Sequence, residues 1–371
     1  MPSEIEWGHQ SVTPKDIEGV TQALHGGMPR ALEEQLEGAF VRLLGAPHAV
    51  AMSSVGCAYQ ALYSALRVGP DDQIITTPFT PPAAVAAALA RGARLILVDL
   101  GATSYPTHQR SRGRSILIVS HYAGTPVALD SIEQQLTSPN DVLIEDASDA
   151  LGATDQDGTR IGACRWSRIT LFDLNARSIT AGSGAILMTH DAALAEQLRL
   201  LRSGGLGSSI APSTPEGSYL AASPLESGLP VVVTYGIDAH LNPLAAALGL
   251  SQLEKLERFI KRRRQVMDWY REHLTDPAIQ HPNDVSHSAC AFLPLQVDWA
   301  ALKIPRTQLR HALTHQGIET RVTVPLHHHP LFAQEVELPL SDQFFQKLLE
   351  LPVYPALSEP QIQQICAALR A

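Results

Sequence analysis

The chain has almost no lysine. Its 371 residues include Lys15, Lys255, Lys261, Lys303 and Lys347 against 23 arginines, and none of the five lies between residues 15 and 255. Over that stretch no side chain offers a primary amine. A guanidinium stays protonated and cannot take the place of one in Schiff-base chemistry. Cysteine is also scarce: Cys57, Cys164, Cys290 and Cys366 are far apart and form no CxxC pair. That excludes a disulfide framework or a zinc ribbon and points to reduced thiols. Positive charge is in short supply, with a net charge of −9, which excludes a nucleic-acid-binding surface. The densest cationic cluster, Lys261–Arg264, falls in a helical stretch and reads as a solvated helix face. No apolar run is long enough to span a membrane, and the first ten residues have no apolar signal core. A soluble cytoplasmic protein without membrane or nucleic-acid partners is expected.

Helix-like and strand-like segments alternate from about residue 30 to 205. "PRALEEQLEGAFVRLL" has helical periodicity. "PPAAVAAALARG" is opened by proline and closed by glycine. "RLILVDL", "SILIVSHYAG" and "DVLIEDAS" are apolar runs ending in polar residues. Such alternation predicts an α/β fold with a mostly parallel sheet between helices, and functional groups at the carboxyl ends of the strands. Asp99, His121, Glu145, Asp146 and Ser148 all fall there. Residues 207–230 are rich in Gly, Ser and Pro and read as a long surface loop. A long helix, with room for a kink, follows, then a smaller α/β portion with strands at 289–299 and 318–324. The expected division is an N-terminal segment 1–25, a large domain 26–245, and a linking helix with a small domain 246–371. Gly182 and Gly184 read as a tight turn between two strands rather than a nucleotide loop.

Several segments, in order and spacing, carry a family resemblance: "LEEQLEGAFVRLLGAPHAVAMSS", "HYAGTPVALDSI", "VLIEDASDALGAT", "SITAGSGAILMTHDAALAEQLRLLRSGG", "ALGLSQLEKLERFIKRRR" and "TVPLHHHPLF". The chain resembles the DegT-type nucleotide-sugar aminotransferases. It is most similar to the branch that aminates UDP-linked 4-keto sugars for pseudaminic acid synthesis. The resemblance implies an aspartate aminotransferase-like fold of type I, dependent on pyridoxal phosphate (PLP), with a large α/β/α domain and a smaller C-terminal α/β domain. It places Asp146 at the pyridine nitrogen, where a carboxylate keeps the ring protonated as an electron sink. It places Gly56 and Cys57 at the phosphate loop, with Ser148 and Asp149 near the cofactor.

The same resemblance shows where the family pattern is broken. Arg177 falls on the lysine that forms the Schiff base. Phe172 falls on a phosphate-binding serine, Asp238 on an asparagine contributed across a dimer interface, and Pro81 on the ring that stacks over pyridine. A carboxylate facing a phosphate repels it, and the lost ring removes a stacking partner. His121 and Tyr122 are family residues that support the strand ends; His121 also counts as a substrate-side residue, together with His327 in a loop lining the sugar-side cleft. His327–His329 are read as that loop, with no metal expected. Two readings follow. In one, the chain is a homologue without standard transamination, with no covalent cofactor, retaining nucleotide-sugar or partner binding. In the other, it is an active sugar aminotransferase or dehydratase-type enzyme holding PLP or its amine form, PMP, noncovalently. A homodimer is implied, or a heterodimer with an active paralogue.

Overall fold

The computed structural model describes residues 5–102, 105–106, 113–136, 138–175, 178–207 and 231–370. A seven-stranded sheet dominates. Its strands are β1 (His48–Met52), β2 (Gln73–Thr76), β3 (Arg94–Leu97), β4 (Ser115–Ser120), β5 (Val142–Asp146), β6 (Ile169–Asn175) and β7 (Thr180–Thr189). They lie in the order β1-β7-β6-β5-β4-β2-β3. Only β7 runs antiparallel to its neighbours. The inner strands β4 and β5 are buried on both faces, and for that reason their sequences are unbroken apolar runs rather than alternating ones.

Helices cover both faces. On one, α3 (Val55–Ala65), α4 (Pro82–Leu89) and α6 (Ala192–Arg202) pack over Ile74, Ile116, Ile144, Ile169 and Leu171. On the other lie α2 (Ala31–Leu44), α7 (Pro243–Leu253) and the start of α8 (Leu256–His273), over Ala147, Phe172, Leu174 and Ile186. Leu36, Phe40 and Leu44 of α2 are buried at a spacing of four, a single apolar stripe. Gly45 ends that helix with φ +90°, a conformation that costs glycine no Cβ clash. Of the outlying elements, α1 (Pro14–His25) packs on α7, and a short ribbon joins β8 (Leu206–Gly207) to β9 (Val231–Val232).

A second, antiparallel sheet follows: β10 (Ile279–Gln280), β11 (Phe292–Val297) and β12 (Leu348–Pro352). With the later part of α8 and the C-terminal helices it encloses a separate core around Leu293, Leu295, Leu349 and Leu351. No helix among the described residues is long and apolar enough to cross a membrane. All four cysteines are free.

The long helix is interrupted, as a kinked helix would be, and three other sequence expectations need correction. The long helix is two helices, α7 and α8, broken at Glu254–Lys255, where Lys255 turns to hydrogen-bond Thr13 Oγ1 at 3.0 Å and to pair with buried Asp16. The basic run Lys261–Arg264 is not simply a solvated face. Arg263 is buried and donates to the carbonyls of Cys290, Ala291 and Val353, while Arg262 donates to those of Pro355 and Leu357. The strand expected at 318–324 shrinks to single bridges at Ile318 and Arg321. There the Thr323 amide donates to the Glu350 side chain at 3.0 Å and Pro325 supplies no donor, so a ladder cannot continue. Gly182 and Gly184 lie inside β7 rather than at the turn. A Cβ on Gly184 would meet Leu241 Cδ1 at 2.6 Å.

Candidate functional site

Strand β5 ends in two adjacent carboxylates, Glu145 and Asp146. Strand alternation sends them to opposite faces, and both are buried. Glu145 is met by His121 Nε2 at 2.9 Å, Ser167 Oγ at 3.3 Å and the Thr170 hydroxyl. Val127 N donates to His121 Nδ1 at 3.0 Å, so Nε2 is the nitrogen that carries the proton given to Glu145. Burial alone would raise the Glu145 carboxyl. The donors from His121, Thr170 and Ser167 outweigh it and hold the group below the ordinary glutamate value.

Asp146 faces α3. Its Oδ2 accepts the Tyr59 hydroxyl and its Oδ1 accepts Ser148 N at 3.1 Å. Here burial wins: helped by the nearby Asp149 carboxylate, it pushes the Asp146 carboxyl up despite the lowering effect of Tyr59 and Ser148. Burial and the facing carboxylate likewise push the Tyr59 phenol well up, so the proton stays on the tyrosine. Tyr59 is fully buried, with its ring 5.7 Å from that of Tyr63.

The sequence-predicted residues sort themselves around this point. Ser54 caps α3 and accepts Cys57 N at 3.1 Å, so the Cys57 amide is already engaged; Gly56 lies in the same first turn. Pro81 is the N-cap residue of α4. The Ala123 amide donates to Asp149 Oδ2 at 3.3 Å, tying the segment after β5 to the one after β4. Asp238 is exposed, bridged through its backbone to Ser203. Tyr122 donates to buried Glu350 and stacks edge-on against Phe292. Arg177 lies outside the described residues.

Two placements differ from expectation. Phe172 does not face a ligand site: its ring is fully buried on the α2 side, 6.3 Å from Phe40 and against Gly162. Its neighbour Asp173 lines a cavity instead. His327 lines neither the cavity at the end of β6 nor the cleft between the two sheets; its Nε2 turns to Asp342 Oδ1 at 3.0 Å.

A cavity of about 470 Å³ sits at the end of β6, lined by Asp173, Asn175, Trp7, Arg263, Arg321 and Tyr354. Arg321 stacks over Trp7 at 5.0 Å, and the Trp7 amide donates to Glu319 at 2.7 Å. It carries both signs of charge and borders the strand end from which the chain runs on to Arg177. A larger cleft, about 860 Å³, opens between the two sheets, with Phe79, Ser120 and Tyr122 on one side and His281, Gln296 and Phe344 on the other.

Sequence reasoning missed Tyr59, Glu350 and Asp342. Tyr59 had a readable signal, a polar tip inside an otherwise apolar helical stripe. The other two had none.

A mostly parallel sheet with helices on both faces and a smaller antiparallel unit docked at its strand ends is the architecture of the type I aminotransferases. Residues 11–370 match the model of the DegT/DnrJ/EryC1/StrS aminotransferase family, and the chain belongs to that family. Among curated relatives it is similar to the uncharacterized protein MJ1066 of Methanocaldococcus jannaschii, 27% identical over 92% of this chain and 89% of that one. Among solved structures it is similar to Helicobacter pylori PseC, an aminotransferase involved in the biosynthesis of pseudoaminic acid. That match has a TM-score of 0.86 and 21% identity, over 99% of this chain and 98% of that one. The aminotransferase TlmJ from Streptoalloteichus hindustanus superposes with a TM-score of 0.84 at 23% identity, over 99% and 98%. DesI, solved in the presence of its TDP-sugar product, superposes with a TM-score of 0.84 at 22% identity, over 100% of this chain and 93% of that one.

Proposed function

We propose that this chain is a sugar-aminotransferase homologue that keeps the family fold but does not carry out PLP-dependent transamination, and that it binds a nucleotide sugar as part of a dimer. One observation carries the reading: no lysine occurs from residue 16 to residue 254, the span that contains every strand of the large sheet. The flanking lysines are spoken for. Lys15 pairs with Glu254, and Lys255 with Asp16.

The residues at the expected cofactor position do not fit PLP held as a Schiff base. Arg177 supplies no amine that could condense with an aldehyde. Asp146 already has a donor on each oxygen from within the chain, and burial disfavours the ionised form that would balance a pyridinium. The Cys57 amide is given to Ser54, and Phe172 offers neither a hydroxyl nor a face toward a ligand. Both carboxylates expected near the cofactor, Asp149 and Asp238, make its surroundings more anionic.

Spr1654 of Streptococcus pneumoniae was solved in PLP, PMP and apo forms, which makes PLP and PMP the cofactor ligands to test. Thermal unfolding is followed with UDP-sugars, with PLP and with PMP. Ligands that bind the folded state raise the midpoint by mass action. A saturable rise with a UDP-sugar and none with PLP is expected. A saturable rise with PLP in a protein that turns yellow overturns the reading.

A further inference from the structure

The histidine run and a distant acid converge on one spot. His327 and His328 lie on a 3₁₀ turn, Leu326–His328, and Asp342 lies in the helix Pro339–Lys347. His327 Nε2 and His328 Nε2 stand 3.0 and 2.8 Å from the same oxygen, Asp342 Oδ1. One ligand atom from each of the three residues falls within 4.8 Å of the other two. In a tetrahedral site with bonds of about 2.0–2.1 Å, ligand atoms sit roughly 3.3 Å apart. The two distances to Asp342 Oδ1 are a few tenths of an ångström shorter than that, and a small outward shift of the side chains would admit an ion. We propose that His327, His328 and Asp342 form a binding site for a divalent transition-metal ion of the zinc class, with the remaining coordination position open to solvent.

The donor set selects the ion. Two imidazoles with one carboxylate suit zinc, cobalt, nickel or copper, whereas magnesium and calcium prefer all-oxygen shells. The site is also held in shape. Leu326 is buried, and its amide donates to Pro78 O at 2.8 Å, fixing the turn. The His327 side chain is 7% exposed, whereas His328 at 37% and Asp342 at 40% leave the triad open to an ion from solution. The rings are set edge to face, His327 on His328 with centroids 4.4 Å apart and His328 on Phe345 at 5.1 Å. His327 Nδ1 is buried without a partner in the chain. Coordination through Nε2 leaves an unpaired N–H there, which ranks the site below a closed four-ligand zinc centre. His329 is not part of it; its Nε2 meets Val324 O.

The test uses the whole protein, stripped with chelator, and the metal alone. Calorimetry with Zn²⁺ and visible spectra with Co²⁺ are recorded for the wild type and for His328→Ala, Asp342→Asn and His329→Ala. One equivalent of Zn²⁺ and Co²⁺ ligand-field bands of a four-coordinate site are expected. Affinity should fall at least tenfold in the first two variants and stay within twofold in the third. Asp342→Asn keeps an oxygen to accept from both rings, so its loss of metal is not a loss of fold. Absent Co²⁺ bands in the wild type overturn the proposal, as does equal weakening by His329→Ala, which is the behaviour of a loose histidine tract.

Discussion

Glu145 and Asp146 are neighbours on one strand, equally removed from water, yet burial is overcome at one and prevails at the other. Glu145 is surrounded by an imidazole N–H and two hydroxyls, enough donors to hold its charge in a dry place. Asp146 has the Tyr59 phenol and Ser148, and the cost of burial, with the repulsion of Asp149 added, exceeds what they return. The first is a structural clamp between β4, β5 and β6. The second is a position where the fold leaves a carboxylate, and where this chain supplies its own hydroxyl through Tyr59. Donor supply together with the neighbouring charge, His121 beside Glu145 and Asp149 beside Asp146, rather than depth, sets the difference.

Removing donors should break the comparison unevenly. His121→Ala leaves Glu145 without its imidazole donor and opens a void, so about 3 kcal/mol of stability should be lost, measured by urea unfolding. The pH dependence carries the sign. A depressed carboxyl contributes stability above the ordinary glutamate value and loses it as pH falls through the folded value, so the acid limb of the wild-type profile should flatten in this variant. Tyr59→Phe should cost less, about 2 kcal/mol at neutral pH, because Asp146 relieves the loss by taking up a proton. A raised carboxyl runs the opposite way: its folded state gains as pH falls through the folded value. The deficit of Tyr59→Phe should therefore shrink in mild acid. Equal losses, or deficits that respond to pH alike, would show that donor supply is not what separates the two groups.

Asp16 extends the series with a true cation. Burial would raise it, but Lys255, Ser251 and Thr13 bring it down to about 2. That depression from 3.8 corresponds to about 2 kcal/mol, present above the ordinary aspartate value and lost as pH approaches 2. Asp16→Asn should lower the unfolding free energy by about that amount near neutral pH and leave little difference near pH 2. A deficit independent of pH would assign the effect instead to the capping box that Asp16 forms with Thr13, the N-cap of α1.

What could be read from the sequence follows from how locally each feature is encoded. The alternation of apolar runs and amphipathic helices located the large sheet, and Asp146 was visible because a polar residue after an apolar run marks a strand end. Tyr59 lies 87 positions earlier, and its pairing with Asp146 depends on how α3 packs against β5, which no local pattern states. The same holds for Asp342, which meets the histidines only because the helix at 339–347 returns over the turn at 326–328. Phe172 looked like a damaged ligand position because residue-by-residue likeness ignores which face of β6 a side chain takes. One step along the strand exchanges core for cavity, and Asp173 is the residue that faces the cavity.

Incubating the purified protein with PLP, reducing it with borohydride and weighing it intact by mass spectrometry is the most direct trial. Unshifted mass, alongside a pyridoxyl adduct on an active family member treated identically, is the predicted result. A stoichiometric pyridoxyl adduct on any single side chain would contradict it.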